Sequence, residues 1–283
     1  MTDLLKLDHV TKLFPVGGLF SRRSMKAVDD VNFALAADKP EIFAIVGESG
    51  SGKSTLAKMM LGNEVPSSGR LEFDGMDVAT IRGRTAREAF MARVQPVFQN
   101  PFEAFNPLTK LDQYLFATAN RFRNARTNSE RETVADAALQ RVGLSLAEVR
   151  GRYSHELSGG QLQRIAVARA LIPEPKLIVA DEPVSMVDAS LRMSIVNLFR
   201  DLRDELKVSI IYITHDLATA YYISDRVIIM QKGKVIESGD ARTVLEHPTQ
   251  PYSIALKGAV LPPDPAEAST IIRNRRTASA GAA

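Results

Sequence analysis

The sequence contains no cysteine among its 283 residues. This absence excludes disulfide bonds, cysteine-ligated zinc, iron–sulfur clusters and a cysteine nucleophile. It also agrees with a protein that works in a reducing cytosol. Any chemistry of the chain must therefore rest on other side chains and on the backbone.

Long hydrophobic runs are also missing. The longest apolar stretches, such as Ile42–Val46 and Val227–Met230, are far shorter than the ~20 residues that span a bilayer. The start of the chain, Met1–Lys6, lacks the basic-then-apolar pattern of a signal peptide. We expect a protein that stays in the cytosol and contacts a membrane only through a partner.

The chain has little excess charge of either sign. Lys and Arg number 36 against 33 Asp and Glu, which leaves a formal net charge of +3. The basic clusters at residues 82–93 and 121–131 are expected to cover solvated helices, so we predict no nucleic-acid partner. The composition, 45% hydrophobic and 24% charged, is typical of a globular protein.

Four short apolar runs each end abruptly in a polar group. They are Ile42–Val46, Val97-Phe98, Leu177–Ala180 and Ser209–Thr214. Continuous apolar runs are typical of strands buried on both faces of a parallel sheet, whose ligands gather at the carboxyl ends of the strands. The fold class is therefore predicted as α/β, and one sheet edge should collect the following residues: Gly47, Gln99, Asp181, Glu182 and His215.

Other segments depart from this parallel pattern. Lys6–Phe14 and Ala27–Leu35 alternate as two antiparallel strands would, on either side of a loop with Gly17-Gly18. Between residues 99 and 158 helix formers dominate, which predicts a helical insertion into the α/β core. After Leu261 the composition indicates a disordered tail.

The segment after the first run fits the phosphate-loop pattern G-x-x-x-x-G-K-[ST]. It reads Gly47, Glu48, Ser49, Gly50, Ser51, Gly52, Lys53, Ser54 and Thr55. Its glycines let backbone N–H groups turn inward at a helix N-terminus, where phosphate binds. Lys53 would reach the β- and γ-phosphates and the Ser54 hydroxyl would bind Mg²⁺. The alternative is a glycine-rich turn with a solvated lysine.

Two adjacent acids, Asp181 and Glu182, close the third apolar run. Carboxylates at a buried strand end are costly unless a cation or a reaction holds them. Asp181 suits Mg²⁺ through a bound water, and Glu182 suits a general base that orients water toward the γ-phosphate. An acidic turn before Pro183 is the alternative.

A second helix N-terminus carries glycines. In Leu157–Gln161, Ser158 and Gln161 fit a capping box around Gly159 and Gly160. The same helix start is also a possible anion site, with Ser158 as a neutral donor but without a lysine. The two interpretations are compatible.

Together these motifs resemble the ATP-binding subunit of an ABC transporter, from about Leu4 to Leu261. The family's Walker A, Q-loop, signature, Walker B, D-loop and switch positions correspond to Gly47–Thr55, Gln99, Leu157–Gln161, Leu177–Glu182, Asp188 and His215. The resemblance implies a P-loop NTPase core over residues 4–256. It also implies an N-terminal antiparallel β subdomain, a helical subdomain inserted at about 100–160, a C-terminal extension at 240–262 and a disordered tail at 263–283.

The resemblance also implies roles for individual residues. Phe14 would stack on adenine, and a Phe buried in the core is the alternative. Gln99 would touch Mg²⁺, while its loop would contact the membrane partner. His215 would bind the γ-phosphate instead of being a surface residue. Ser158 would bind the γ-phosphate held by a second ATPase subunit. Asp188, otherwise an N-cap, would contact that subunit's phosphate loop.

Within the family, several segments resemble the oligopeptide and dipeptide importers. They are residues 99–107, 153–157 and 247–252, and Phe14–Val16 and Asp181–Ser185 are more similar to the second of their two ATPases. This resemblance implies ATP and Mg²⁺ as cofactors and a second ABC ATPase, identical or not, as partner. It also implies two transmembrane permeases, an indirect periplasmic binding protein, and a peripheral place on the cytoplasmic face of the inner membrane.

Two features depart from the pattern of these importers. Pro40 replaces the usual Gly before Glu41, and Met186-Val187 replaces the usual Ala-Leu before Asp188. Related importers carry oligosaccharides, opines or nickel, so cargoes other than peptides stay open.

Two function classes are alternatives to an importer. The first is a soluble ABC ATPase. The DNA-repair type needs a long coiled-coil insert, which the interval from Lys53 to Leu157 is too short to hold. The translation type carries two cassettes in one chain, whereas this sequence has a single cassette. A non-hydrolysing scaffold subunit disagrees with the presence of Glu182 and His215.

Overall fold

The computed structural model describes residues 2–16, 24–102 and 104–259. The loop with Gly17-Gly18 and the tail at 263–283 lie outside these described residues. The strands are β1 Asp3–Pro15, β2 Ser24–Ala36, β3 Ile42–Val46, β4 Ser68–Phe73, β5 Met76–Asp77, β6 Val94–Val97, β7 Leu177–Asp181, β8 Ser209–Thr214, β9 Arg226–Gln231 and β10 Lys234–Asp240. The helices are α1 Lys53–Met60, α2 Arg84–Arg93, α3 Leu111–Arg123, α4 Asn128–Gln140, α5 Leu146–Val149, α6 Gly159–Leu171, α7 Ala189–Leu206, α8 Leu217–Ile223, α9 Ala241–Glu246 and α10 Pro251–Ala259.

The central sheet has the strand order β10-β9-β3-β8-β7-β6. All of its strands run parallel except β10, which pairs antiparallel with β9. Every residue of β3 and β8 is buried, as expected for strands covered on both faces. The α/β prediction is confirmed.

One predicted strand is displaced. The run Val97-Phe98 was expected to be the end of a strand, but β6 stops at Val97 and begins earlier, at Val94. Phe98 lies beyond the pairing with β7 and its exposed fraction is 50%. The prediction of a buried Phe98 is therefore wrong, because its hydrophobic character alone does not keep it in the sheet.

The N-terminal strands form a second, antiparallel sheet in the order β2-β1-β4-β5. The antiparallel pair β1 and β2 was predicted, whereas β4 and β5 were not. The two sheets and α1 share one hydrophobic cluster. Within it, the ring of Phe33 on β2 stacks on Phe43 of β3 with centroids 4.6 Å apart. Helix α1 thus packs into the same cluster through Leu56, Met59 and Met60.

Residues 99–158 contain helices and, among the described ones, no strand. Helix α4 begins at a capping box in which the Thr127 side chain accepts from the Glu130 N–H. Helices α3 to α7 share a large hydrophobic cluster with one face of the central sheet. In α7 the side chains of Ile195, Leu198 and Leu202 are buried, whereas Leu191, on the first turn, is 38% exposed.

Helices α8, α9 and α10 contribute to a third cluster, which packs on β3 and β9. None of the helices in the described parts of the chain is both long and apolar enough to cross a bilayer.

Candidate active site

The predicted phosphate loop joins the end of β3 to the start of α1. At Gly52 the backbone is left-handed, with φ of 105°, and a Cβ would lie 2.3 Å from the Ala27 carbonyl oxygen. A Cβ on Gly47 would lie 2.3 Å from the Met230 carbonyl oxygen. Both positions therefore require glycine, the first for conformation and close approach and the second for close approach.

The Lys53 side chain folds back over this loop. Its Nζ donates to the carbonyl oxygens of Gly47 and Glu48, at 2.7 and 2.8 Å. Burial lowers the pKa of the Lys53 ammonium, and the charges of Glu182 and Asp181 oppose that shift. A buried cation whose hydrogen-bond partners are neutral oxygens, the two carbonyls and the Ser51 hydroxyl at 3.5 Å, has the chemistry to receive phosphate oxygens.

Asp181 ends β7 beside the first turn of α1. Burial raises the pKa of its carboxyl, while a hydrogen bond from the Ser54 hydroxyl opposes the shift. A desolvated carboxyl next to a hydroxyl is a suitable place for a cation, because the cation offsets the cost of burying the negative charge.

Two side chains from neighbouring strand ends converge on the carboxylate of Glu182. Gln99 Nε2 donates to Glu182 Oε2 at 3.1 Å, and His215 Nδ1 lies 3.0 Å from Glu182 Oε1. Because β6, β7 and β8 are adjacent and parallel, the residues after them meet at one edge. The cluster can hold and orient a water, as general-base catalysis requires.

The backbone of Glu182 adopts φ of 47°, a left-handed conformation that is unusual for a residue with a side chain. Its N–H donates to the Ile213 carbonyl, and its own carbonyl accepts from the Ser185 hydroxyl and N–H. Such strained residues persist where their surroundings hold them, and they cluster at active sites.

The signature segment forms a separate surface. Ser158 is the N-cap of α6, with reciprocal hydrogen bonds to Gln161 at 3.3 and 3.1 Å, so the capping box is confirmed. Ser158 is exposed, and these hydrogen bonds do not connect it with the Glu182 cluster. The structure thus brings Gln99, Glu182 and His215 together and leaves Ser158 at another helix end.

The D-loop lies against this helix start. A Cβ on Gly159 would be 3.2 Å from the Met186 carbonyl oxygen, and one on Gly160 would be 2.9 Å from Leu191 Cδ1. Asp188 occupies the N-cap of α7, but its side chain makes no cap hydrogen bond. The N-cap position is confirmed and the capping bond is not.

Phe14 lies near the end of β1, where it pairs with Met25. It is partly exposed, and the Lys12 Nζ lies 5.2 Å from its ring centroid. The alternative of a buried core Phe is therefore wrong, and one ring remains accessible at this strand end.

The residues present fit a nucleotide with a divalent cation. Among the described residues, no group of three or more His, Cys, Asp or Glu could hold a metal ion. A cation bound through Ser54 and Asp181 would need further oxygen ligands, which phosphates provide.

The outer side of the loop has two contacts that the sequence did not predict. The Gly233 N–H donates to the Ser51 carbonyl at 2.9 Å, and the Glu48 N–H donates to the Tyr252 hydroxyl at 3.0 Å. The Lys232-Gly233 pair is a recognisable hairpin turn. No local pattern relates that turn, or Tyr252, to the distant phosphate loop.

Comparisons with known proteins agree with this geometry. The sequence profile of the ABC transporter family matches residues 28–185. The chain is 40% identical over 260 residues to the oligopeptide transport ATP-binding protein AppF of Bacillus subtilis, an alignment that covers 91% of this chain and 78% of that protein. It is 41% identical to a putative peptide import ATP-binding protein of Brucella ovis, covering 90% of this chain and 80% of the relative.

Solved structures with the same fold are ABC cassettes. One is a dimeric ATP-binding cassette in a post-hydrolysis state, bound to ADP and phosphate. It has a TM-score of 0.73 at 27% sequence identity, and the match covers 84% of this chain and 99% of the cassette's chain. The cbiO1 protein of Clostridium perfringens, part of an ABC transporter complex, has a TM-score of 0.73 at 28% identity. The match covers 87% of this chain and 92% of the cbiO1 chain. With its phosphate loop, capped signature helix and Glu182 cluster in this fold, the chain belongs to the ABC transporter family of ATPases.

Proposed function

We propose that this chain is the ATP-hydrolysing subunit of an importer that carries peptides across a bacterial inner membrane. The observation that carries the proposal is the Gln99–Glu182–His215 cluster beside an intact phosphate loop. The similarity to AppF and to a peptide import protein of Brucella ovis supports peptides as the cargo.

In this proposal the phosphate loop and the Glu182 cluster share the work of hydrolysis. The backbone of Gly47–Thr55 and the Lys53 ammonium bind the phosphates, and Phe14 stacks on the base. Glu182 is the general base, held by Gln99 and His215, and His215 contacts the γ-phosphate. The proximity of these three side chains supports the assignment.

Magnesium is proposed at Ser54, Gln99 and Asp181, with Asp181 acting through a water. When bound, Mg²⁺ would neutralise charge on the phosphate oxygens. The raised pKa of the Asp181 carboxyl, caused by burial, supports a cation at this position.

The exposed start of the signature helix, at Ser158, supports a second ATPase subunit, identical or not, as partner. Ser158, Gly159, Gly160 and Gln161 would bind the γ-phosphate held by that partner, and Asp188 would contact its phosphate loop. The N-terminus of α6 favours an anion, because the N–H groups of its first turn lack backbone acceptors within the helix. The solved cassette with ADP and phosphate is itself a dimer.

The proposed organisation is an ATP-binding domain at 4–256, a helical subdomain at about 100–160 and an importer-type extension at 240–262. Two transmembrane permeases would be contacted through the region around Gln99, and a periplasmic binding protein would act indirectly. The exposed side chains of Phe98 and Phe102 support a protein contact there. The chain would then be peripheral, at the cytoplasmic face.

Reconstitution tests this function. The chain is incorporated into proteoliposomes with its permeases and candidate binding proteins, and ATPase activity and uptake of labelled peptide are measured. We expect peptide-loaded binding protein to stimulate both, and the Glu182→Gln variant to support neither. If a sugar-binding or nickel-binding protein stimulated the ATPase activity instead, the cargo would be that solute and not a peptide. Co-purification with DNA or ribosomes, without permeases, would contradict the importer.

A further inference from the structure

The aromatic residue Tyr252 reaches the phosphate loop from the C-terminal part of the chain. Its hydroxyl oxygen accepts a hydrogen bond from the Glu48 N–H at 3.0 Å, across 204 positions of sequence. Its ring packs against the hydrophobic cluster that includes Val46, the last residue of β3. The hydroxyl is thus directed by packing at the ring.

The segment that carries Tyr252 is itself anchored. The Glu237 carboxylate on β10 accepts from the Thr249 N–H at 2.8 Å, the Thr249 hydroxyl at 3.0 Å and the Gln250 N–H at 3.4 Å. The Lys257 Nζ also donates to the Glu246 carbonyl. The first three bonds connect the turn before α10 to β10, and the last connects α10 to the end of α9.

The contact falls on the exposed part of the loop, where the Glu48 carbonyl also accepts from the Lys53 Nζ and the Ser51 N–H. Ser51 is buried and its carbonyl is held by Gly233, whereas Glu48, Ser49 and Gly50 are exposed. A loop that is ordered before its ligand arrives binds more tightly, because less conformational entropy is lost on binding. The Tyr252 hydroxyl is placed to supply that order.

We propose that Tyr252 is a positioning residue for ATP binding, which holds the Glu48 peptide so that the phosphate loop is ordered without nucleotide. This inference rests on the assignment of Gly47–Thr55 as the phosphate loop, and it does not depend on the cargo. The C-terminal segment thereby becomes part of the nucleotide site.

The test uses the full chain with Tyr252→Phe, which removes the hydroxyl and keeps the ring. Tyr221→Phe is the matched control, because its hydroxyl bonds Glu246 at the start of the same segment and does not touch the loop. For Tyr252→Phe we expect Kd and KM for ATP to rise about 2–10-fold, the effect of one net hydrogen bond. Within error, kcat should stay unchanged, and Tyr221→Phe should match the wild type in both Kd and KM for ATP.

A second variant and a reference variant complete the test. Glu237→Ala removes the anchor of the segment and should also raise KM for ATP, whereas Lys53→Ala should lose ATP binding. Unchanged ATP affinity in Tyr252→Phe, an equal loss in Tyr221→Phe, or a fall in kcat without a change in KM would each overturn the proposal. If Lys53→Ala still bound ATP, the loop assignment would fail and this inference with it, whatever cargo the importer carried.

Discussion

At the residue scale, Glu182 combines an unusual backbone with two side-chain partners. Its left-handed φ of 47° directs the carboxylate to Gln99 and His215, which lie on loops after the two neighbouring strands. A non-glycine residue in this conformation costs about 1–3 kcal/mol, which the surrounding hydrogen bonds must offset. This conformation is thus the local cost of placing the Glu182 carboxylate at this edge of the sheet.

Glu182→Gln should lower ATP turnover by about 10²–10⁴-fold, because the amide keeps the shape of the side chain but cannot accept a proton from water. ATP binding should be retained, since the phosphate loop is untouched. Steady-state ATPase assays and equilibrium nucleotide binding measure the two effects. Glu205→Gln, at an exposed position of α7, is the control and should match the wild type. Near-normal turnover in Glu182→Gln would remove Glu182 from the role of base.

Asp181 leads to a prediction about stability and pH. Burial raises the pKa of its carboxyl above the unfolded value, so the ionised form disfavours the folded state when the pH exceeds both values. Asp181→Asn should therefore raise the melting temperature of the metal-free, nucleotide-free protein at pH 8. The gain in melting temperature should shrink as the pH falls below the raised pKa of the folded state. It should vanish below the ordinary pKa of about 3.9, where the carboxyl is protonated in both states.

Thermal unfolding in a chelator at pH 8 and pH 5 checks this prediction. Asp201→Asn, at an exposed position on α7, serves as the control and should leave the melting temperature unchanged at both pH values. A melting temperature of Asp181→Asn equal to or below that of the wild type at pH 8 would contradict the sign of the shift.

At the element scale, the start of α6 serves both folding and the proposed dimer. Ser158 caps the helix through the Gln161 N–H, and an N-cap of this kind contributes about 1 kcal/mol. The same hydroxyl is exposed beside two glycines that pack against Met186 and Leu191. A substitution that preserves the cap can therefore separate the two roles.

Ser158→Asp should preserve helix stability, since Asp is also a good N-cap and its charge is favourable at a helix N-terminus. The added carboxylate should nevertheless repel the γ-phosphate of a partner. In a Glu182→Gln background, we expect ATP-dependent association to be lost while the melting temperature is kept, as measured by sedimentation and thermal unfolding. Ser158→Ala is the reference that removes both the cap and the hydroxyl proposed to bind phosphate, without adding a charge. Undiminished association of Ser158→Asp would contradict the proposed role of the signature.

At the scale of the whole molecule, the nucleotide site joins distant parts of the chain. Strand β9, the β9–β10 turn, α10 and the N-terminal sheet all contact the phosphate loop, through Met230, Gly233, Tyr252 and Ala27 respectively. A ligand bound there stabilises the folded chain as a whole, because the unfolded chain has no such site.

Mg-ATP at 100 times its Kd should add about 2.7 kcal/mol to the stability of Glu182→Gln. If ATP also joins two chains, the shift in melting temperature should grow with protein concentration. Thermal unfolding at several protein concentrations measures both effects. Adding Lys53→Ala should abolish the shift, whereas Lys39→Ala, at an exposed turn, should not. A shift that survives Lys53→Ala would contradict the site.

The sequence alone determined the features that depend on local pattern. The apolar runs before Gly47, Asp181 and His215 predicted buried strands, because only such strands lack polar residues on both faces. The glycines around Lys53 predicted the phosphate loop, and the Ser158–Gln161 spacing predicted the cap. Parallel strands share an edge, so the convergence of Gln99, Glu182 and His215 could also be inferred.

The tertiary structure alone decided what depends on distant packing. It ended β6 before Phe98, left Leu191 outside the core of α7, and added β4 and β5 to the N-terminal sheet. It placed the Tyr252 hydroxyl on the Glu48 N–H, 204 positions away. No local sequence pattern encodes such contacts. Each one forms only after whole elements have packed, because packing decides which backbone donors and acceptors come within hydrogen-bond distance of a partner.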